Sequence, residues 1–395
     1  MIKGKITSLE FHLDFPAEHI LEVKFIEDVG AGMYPCYYIK SKGKIRISTS
    51  VTSLILNSKG FEHNNNFNPP DFLKPPLLKK LFSSFLWRIN KLNHSLSLGI
   101  FQVNKNWHES FQTIDKRVKK LRPFEIVTNE SQENTFSPDY TLKNEEELID
   151  KSVYYLKKFV NDVEMKCPGF DHIILTGGKD SQLIALIPKK NKNKWHIFSA
   201  EPNYALVREW VEKNGVAVNR MFRHDNRNEE SDEDIKRKIV CSDLYSDLRH
   251  IRWLPYLKEI AAKFDKKCIF WTGTTGDTIY SFKEEYREHI TKKYFKIHMT
   301  RACSWQGNYH QTFKNFVGCP LISPYHSQEI WQQVYRHYNP AIIKKNTDLR
   351  GRIGEKLHGG HITWPSQNPG PVPYSYDTYI DAYRYYLSFI NENIK

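Results

Sequence analysis

Six residues interrupt an apolar segment between His172 and Pro188: Thr176-Gly177-Gly178-Lys179-Asp180-Ser181. Leu175 ends the first apolar run, and the second, beginning at Ser181, has the make-up of a short helix. A strand turning directly into a helix points several backbone N–H groups at one spot, where an anion is stabilised. Gly177 and Gly178 withhold side chains, so phosphate oxygens can approach the backbone, and Ser181 adds a hydroxyl donor. Asp180 is the odd member: a carboxylate repels phosphate unless a divalent cation bridges them, so its presence predicts Mg2+. A tight turn capped by Asp180 uses the same residues and needs no ligand. A second apolar run, Cys268 to Trp271, enters Thr272-Gly273-Thr274-Thr275-Gly276-Asp277 and then a helix-like segment. Asp180 and Asp277 each follow the glycines of a strand end, and together they could bring two carboxylates to one magnesium ion. Two unrelated turns of similar composition are the competing explanation.

Such loops need a frame, and the pattern between residues 140 and 280 supplies one. Leu148, Val153, Leu156, Phe159 and Val160 recur at helical spacing, which predicts a long amphipathic helix. After it the segments HIILT, KWHIFSA, VAVNRMF and KCIFWTG read as buried strands. They alternate with the helical segments SQLIALIP, YALVREWVEKNG (closed by Gly215), SDEDIKRKIVCSDL and LPYLKEIAAKF. Ser231 and Asp234 form a capping-box pair at the third of these. Alternation of this kind predicts an α/β fold with a parallel sheet flanked by helices, whose ligands bind beyond the carboxyl ends of the strands. The first part of the chain reads as β-rich. CYYIKSKGKIRISTSVTSLIL holds an aromatic strand, a Lys-Ser-Lys-Gly turn, a strand alternating at Ile45 and Ile47, and a helix-like tail. A further strand is expected around Phe124 to Thr128, and residues 62–76, rich in Asn and Pro, read as a surface loop.

Thr176 to Ser181 resembles the S-G-G-x-D-S loop of the adenylating ATP pyrophosphatases. Thr272 to Thr278 resembles the S-G-x-G-x-D-E element of the asparagine synthetase, β-lactam synthetase and lasso-peptide cyclase branch, with Thr278 where the last acid stands. The resemblance spans about residues 140 to 350. It implies an adenine nucleotide α-hydrolase-like, Rossmann-like domain over 139–395, with a C-terminal helical substrate lobe. It also implies a β-rich α+β domain over 1–138 similar to an Ntn glutaminase domain. The implied activity is that of an AMP-forming carbon–nitrogen ligase: a carboxylate attacks the α-phosphate of ATP, pyrophosphate leaves, and an amine displaces AMP to form an amide. ATP would be held by Leu175, Thr176, Gly177, Gly178, Lys179, Asp180, Ser181, Phe198, Ser199 and Gly273, and Mg2+ by Asp180 and Asp277. Ile174 is expected to border the adenine as well. In the substrate lobe Arg350 matches the L-R of the family's K-x-x-L-R element, Asn346 occupies its lysine place, and Lys345 or Lys356 substitutes. Tyr280 and Glu284, with Glu285 and Tyr286, mark the position of a Tyr–Glu pair that could serve as base. Glutamine-dependent members expose a cysteine at the N-terminus; here Ile2 follows Met1 and the first cysteine is Cys36, so an inactive glutaminase-like scaffold is expected.

Composition bounds these expectations. At 395 residues the chain can bury a substantial core in two domains. Its six cysteines form no C-x-x-C, which points away from a zinc site or a disulfide framework. The N-terminal stretch lacks the apolar core of a signal peptide, so a cytoplasmic protein without membrane contact is expected. A net charge of +13 favours anionic partners, and with them a competing reading in which a related enzyme adenylates a tRNA base. A Lys- and Asn-rich coding composition produces the same excess. A third reading, a nucleotide-binding protein without activity, follows from the loss of an acid at Thr278. His358 and His361, in HGGH, lack a third ligand in the sequence and read as loop residues. The carboxylate and amine substrates could be small molecules, glycans or peptides, and the oligomeric state is left open, a homodimer included.

Overall fold

The computed structural model describes residues 20–27, 34–41, 43–58, 60–64, 113–121, 125–134, 139–225, 231–243, 252–274, 276, 280, 309–337, 342, 348–365 and 376–394, the stretch 376–383 as backbone only. The molecule is α/β: a five-stranded parallel sheet flanked by helices, joined to a β-rich region.

The β-rich region contains strands β1 (Leu21–Val23), β2 (Phe25–Glu27), β3 (Tyr37–Ser41) and β4 (Lys44–Ser48), and helix α1 (Val51–Leu56). It is completed by β5 (Lys119–Lys120), β6 (Glu125–Thr128) and β7 (Gln132–Asn134). Four of these strands form one antiparallel sheet in the order β1-β4-β3-β5, and three form another in the order β2-β6-β7. Ile45 and Ile47 point to one side of β4 and are buried with Tyr38 and Val127, as period-two alternation requires. Strand β7, Gln-Glu-Asn, has three polar residues; it is a strand because its backbone completes the edge of β6.

Helix α2 (Glu145–Lys166) opens the parallel part. Asn144 caps it by accepting from the Glu147 amide at 2.9 Å, and Glu145, Glu146 and Glu147 complement the positive end of its dipole. Then follow β8 (Asp171–Leu175), α3 (Lys179–Leu186), β9 (Trp195–Ala200), α4 (Asn203–Lys213), β10 (Arg220–His224), α5 (Asp232–Cys241), α6 (Leu254–Ala262) and β11 (Cys268–Thr272). Helical residues 309–317, β12 (Leu321–Ile322), α7 (Gln328–Gln333), α8 (Leu349–His358) and α9 (Tyr376–Asn393) complete the described chain. The third strand of the sequence reading is displaced: it begins at Arg220, not Val216. Gly215, at φ +58°, ends α4 in the left-handed conformation, and Val216 is spent packing the connection. Ser231 accepts from the Asp234 amide at 3.1 Å, the predicted cap of α5.

The parallel sheet runs β10-β9-β8-β11-β12. The chain steps outward from β8 through β9 to β10, then crosses back to place β11 on the other side of β8. Alternate residues of each strand feed two separate cores. Ile174, Ile197, Ile269, Trp271 and Ile322 enter the core shared with α2, α3, α4, α7 and α8. Ile173, Phe198, Phe270 and Leu321 enter the core shared with α5, α6 and α9. Burial on both faces is what near-continuous apolar strands encode. Tyr37, Val51, Leu54 and Ile55 of the β-rich region lie in that second core, so the two parts of the chain share apolar packing. Asp243 ties them further: its carboxylate accepts from the Val51 and Thr52 amides, each at 2.9 Å, and from the Ser50 hydroxyl at 3.1 Å. Among the described residues no helix is long and apolar enough to cross a membrane.

Candidate functional site

The reversal of strand order falls between β8 and β11, and in a doubly wound sheet that crevice is where ligands bind. The two strands are in register, with Leu175 opposite Thr272. Both glycine loops therefore leave neighbouring strands at the same level.

The first loop continues the sheet for one residue, as the Thr176 amide donates to the Phe198 carbonyl at 2.9 Å, and then enters α3. Gly178 is the N-cap residue and brings no side-chain cap; the first backbone bond of the helix runs from the Gln182 amide to the Gly178 carbonyl at 3.1 Å. The amides of Lys179, Asp180 and Ser181 thus have no partner within the helix and carry its positive end. The Ser181 hydroxyl is buried, 2.9 Å from the Gly178 carbonyl oxygen and 3.0 Å from the Thr176 hydroxyl, so it braces the turn.

The second loop is pressed onto the first. A Cβ on Gly273 would stand 2.4 Å from the Ser181 nitrogen and 2.6 Å from the Asp180 carbonyl carbon. One on Gly276 would stand 2.8 Å from the Asp180 Cβ and 3.0 Å from its Oδ1. Asp180 is fixed from two further directions. Its carbonyl accepts the Tyr325 hydroxyl at 2.6 Å, and its carboxylate oxygens lie 3.2 and 3.3 Å from Arg350 Nη1. Burial, then the negative charge of Asp180, holds the Tyr325 phenol well above its usual range, so it remains a donor. Lys179 pairs with Asp348 at 2.7 Å and lies under the Trp364 ring, 5.1 Å from its centroid. Asp348 also caps α8, accepting from the Gly351 amide at 3.0 Å. Burial pushes the Asp348 carboxyl up, but the Lys179 bond, the Gly351 amide and the charges of Lys179 and Arg350 outweigh it and leave it below the ordinary range.

Residues expected from sequence divide into four groups. Leu175, Thr176, Gly177, Gly178, Lys179, Asp180, Ser181, Gly273 and Arg350 converge on the crevice. Phe198 and Ser199 end the adjacent strand β9; Phe198 is core, whereas the Ser199 hydroxyl is fully buried with no hydrogen-bond partner among the described residues. Asp277, Thr278, Glu284, Glu285, Tyr286, Lys345 and Asn346 lie outside the described residues. Tyr280 is placed in the core, its ring 6.0 Å from Tyr325 and 6.2 Å from Tyr335, and burial pushes its phenol up to about 12. Lys356 is turned to the surface, where it pairs with Glu146 and Asp150 of α2. His361 pairs with Glu355 at 2.7 Å on the surface, and no cluster of three or more metal-ligating side chains occurs among the described residues.

Tyr325, Asp348 and Trp364 were missed by sequence reasoning. Only Asp348 carries a signal, an Asp three residues before a glycine at a helix start.

The residues present fit a magnesium-bound polyphosphate: uncapped first-turn amides, a carboxylate on the same turn, and a guanidinium whose Nε is buried with no partner among the described residues. No protein-family model matches the chain, and no curated protein does.

Proposed function

We propose that the protein is an ATP-dependent, AMP-forming synthetase that activates a carboxylate and passes the acyl group to an amine. The observation that carries the reading is the meeting of two glycine loops at the sheet's reversal point, with Asp180 between them and Arg350 against its carboxylate. The first-turn amides of α3 bind the polyphosphate, and Lys179 and Arg350 offset its charge. Ser181 keeps the turn in shape, and Gly273 and Gly276 let the second loop close on it. Magnesium, held by Asp180 and Asp277, would neutralise charge on the departing pyrophosphate. Ser199, near the end of the neighbouring strand, would border the nucleoside from beneath, its hydroxyl being fully buried. In this reading the β-rich region is a scaffold similar to a glutaminase domain, and the amine comes from a second substrate or from within the first.

Substrate-dependent exchange of labelled pyrophosphate into ATP, run across a pool of metabolites and peptides, tests the proposal. Exchange should depend on a carboxylate and fall by about 10²-fold or more in Asp180→Asn. Release of ADP, or full exchange in that variant, overturns it. The excess positive charge favours a second reading, adenylation of an RNA base, which salt-sensitive retention of tRNA would support.

A further inference from the structure

Between Gly273 and Gly276 the second loop is anchored by contacts that phosphate binding does not itself require. The Thr274 hydroxyl lies 2.7 Å from His310 Nε2, and the Thr274 carbonyl accepts the Ser323 hydroxyl at 2.9 Å. His310 is fully buried on the helical stretch 309–317, and its ring meets the edges of Tyr34, at 5.8 Å between centroids, and His326, at 5.4 Å. Tyr34 belongs to the β-rich region. Its hydroxyl donates to the Leu321 carbonyl at 2.7 Å and accepts from the Leu321 amide at 3.0 Å, behaving as a one-residue neighbour for β12. Leu321 is paired with Phe270 of β11, the strand from which the loop emerges.

Building on the proposed nucleotide site, we propose that His310 is a positioning residue: through Thr274 it fixes the second glycine loop against Asp180, and Tyr34 holds His310 in place. A loop is mobile unless its backbone or side chains are tied down. Gly273 and Gly276 have no side chains to tie, so among the described residues of the loop the hydroxyl and carbonyl of Thr274 carry that task. A buried imidazole has lost its water, and the Thr274 hydrogen bond offsets part of that cost, which makes the pair mutually dependent. The chain of contacts runs Tyr34, His310, Thr274, Gly273, Asp180. It gives the β-rich region a part in the site without contact to any ligand.

Thr274→Val removes the hydroxyl and nearly keeps the shape, Thr274→Ser keeps the hydroxyl, and His310→Gln places a polar group near the position of Nε2. Hydrogen–deuterium exchange of the segment 268–276 in the full chain should be about tenfold faster in Thr274→Val, the scale of one lost buried hydrogen bond. Thr274→Ser and His310→Gln should exchange like the wild type, and MgATP affinity should follow the same ranking. His310→Leu should match Thr274→Val; should it fail to fold, Thr274→Val alone decides. Wild-type exchange in Thr274→Val, or equal losses in Val and Ser, overturns the proposal. A wild-type protein that binds no MgATP removes the proposed function, and the exchange ranking then supports or overturns the positioning role by itself.

Discussion

Alanine at Gly273 isolates the closeness of the two loops from every other property of the site. The added Cβ would stand 2.4 Å from the Ser181 nitrogen, 2.6 Å from the Asp180 carbonyl carbon and 2.8 Å from the Asp180 Cβ. Two of these are backbone atoms at the start of α3, so no rotamer change relieves the overlap. The loops must separate by about 1 Å to recover an ordinary van der Waals contact. Overpacking of this kind costs about 1–3 kcal/mol, within the typical stability of about 5–15 kcal/mol, so Gly273→Ala should fold. The same 1 Å displacement of a catalytic element can cost on the order of 10²-fold in rate. Pyrophosphate exchange should therefore fall by about that factor while the thermal midpoint drops by only about 1–4 °C. Gly276→Ala should disturb Asp180 itself, because its Cβ would stand 2.8 Å from the Asp180 Cβ, which no rotamer moves, and 3.0 Å from Cγ and Oδ1, which can turn away only by leaving Arg350. Its loss should be partly recovered at higher magnesium concentration. Gly43→Ala is the control: Gly43 adopts φ +80° and a Cβ there would meet nothing within 4 Å, so the variant should lose stability but not exchange activity. Full exchange activity in Gly273→Ala would refute the argument that contact between the loops builds the site.

Asp348→Asn should raise affinity for pyrophosphate by about threefold, since it frees Lys179 at the cost of one exposed ion pair, and asparagine still caps α8. Because the folded carboxyl titrates below its unfolded value, its stabilisation is present above pH ~4 and is lost as the pH falls through the folded value. The wild-type advantage in urea midpoint over Asp348→Asn should thus be visible at pH 6 and vanish at the acid end of the titration. Tyr34→Phe leaves the Leu321 amide and carbonyl without their buried partner and should cost about 1–3 kcal/mol in urea unfolding. An unchanged midpoint would mean that the edge of β12 is satisfied in another way.

Much of the parallel sheet was legible because its strands are apolar runs closed by glycine or by a charged turn, and its helices carry a 3.6-residue stripe. Leu148, Val153, Leu156 and Val160 all face the core, as their spacing requires. Where the chain departs from that pattern the reading slips. Val216 is apolar yet lies ahead of β10, β7 is a strand of three polar residues, and β12 has only two residues, all decided by pairing with a neighbour. The site divides in the same way. Each glycine loop shows itself as a break in an apolar run, but their adjacency depends on β11 crossing back beside β8, which no local pattern states. His310, Ser323 and Tyr325 are single polar residues in stretches without periodicity, and they act through contacts 36 to 145 positions away in sequence. Gly273 and Gly276 show why composition alone misleads at such a place. Neither has a positive φ, the usual reason for glycine in a turn, and alanine could adopt either backbone. They are glycines because Asp180 occupies the space a Cβ would take. The residue that would bind the cation thus dictates the composition of a loop almost 100 positions later, and that dependence becomes visible only when the two strand ends are side by side.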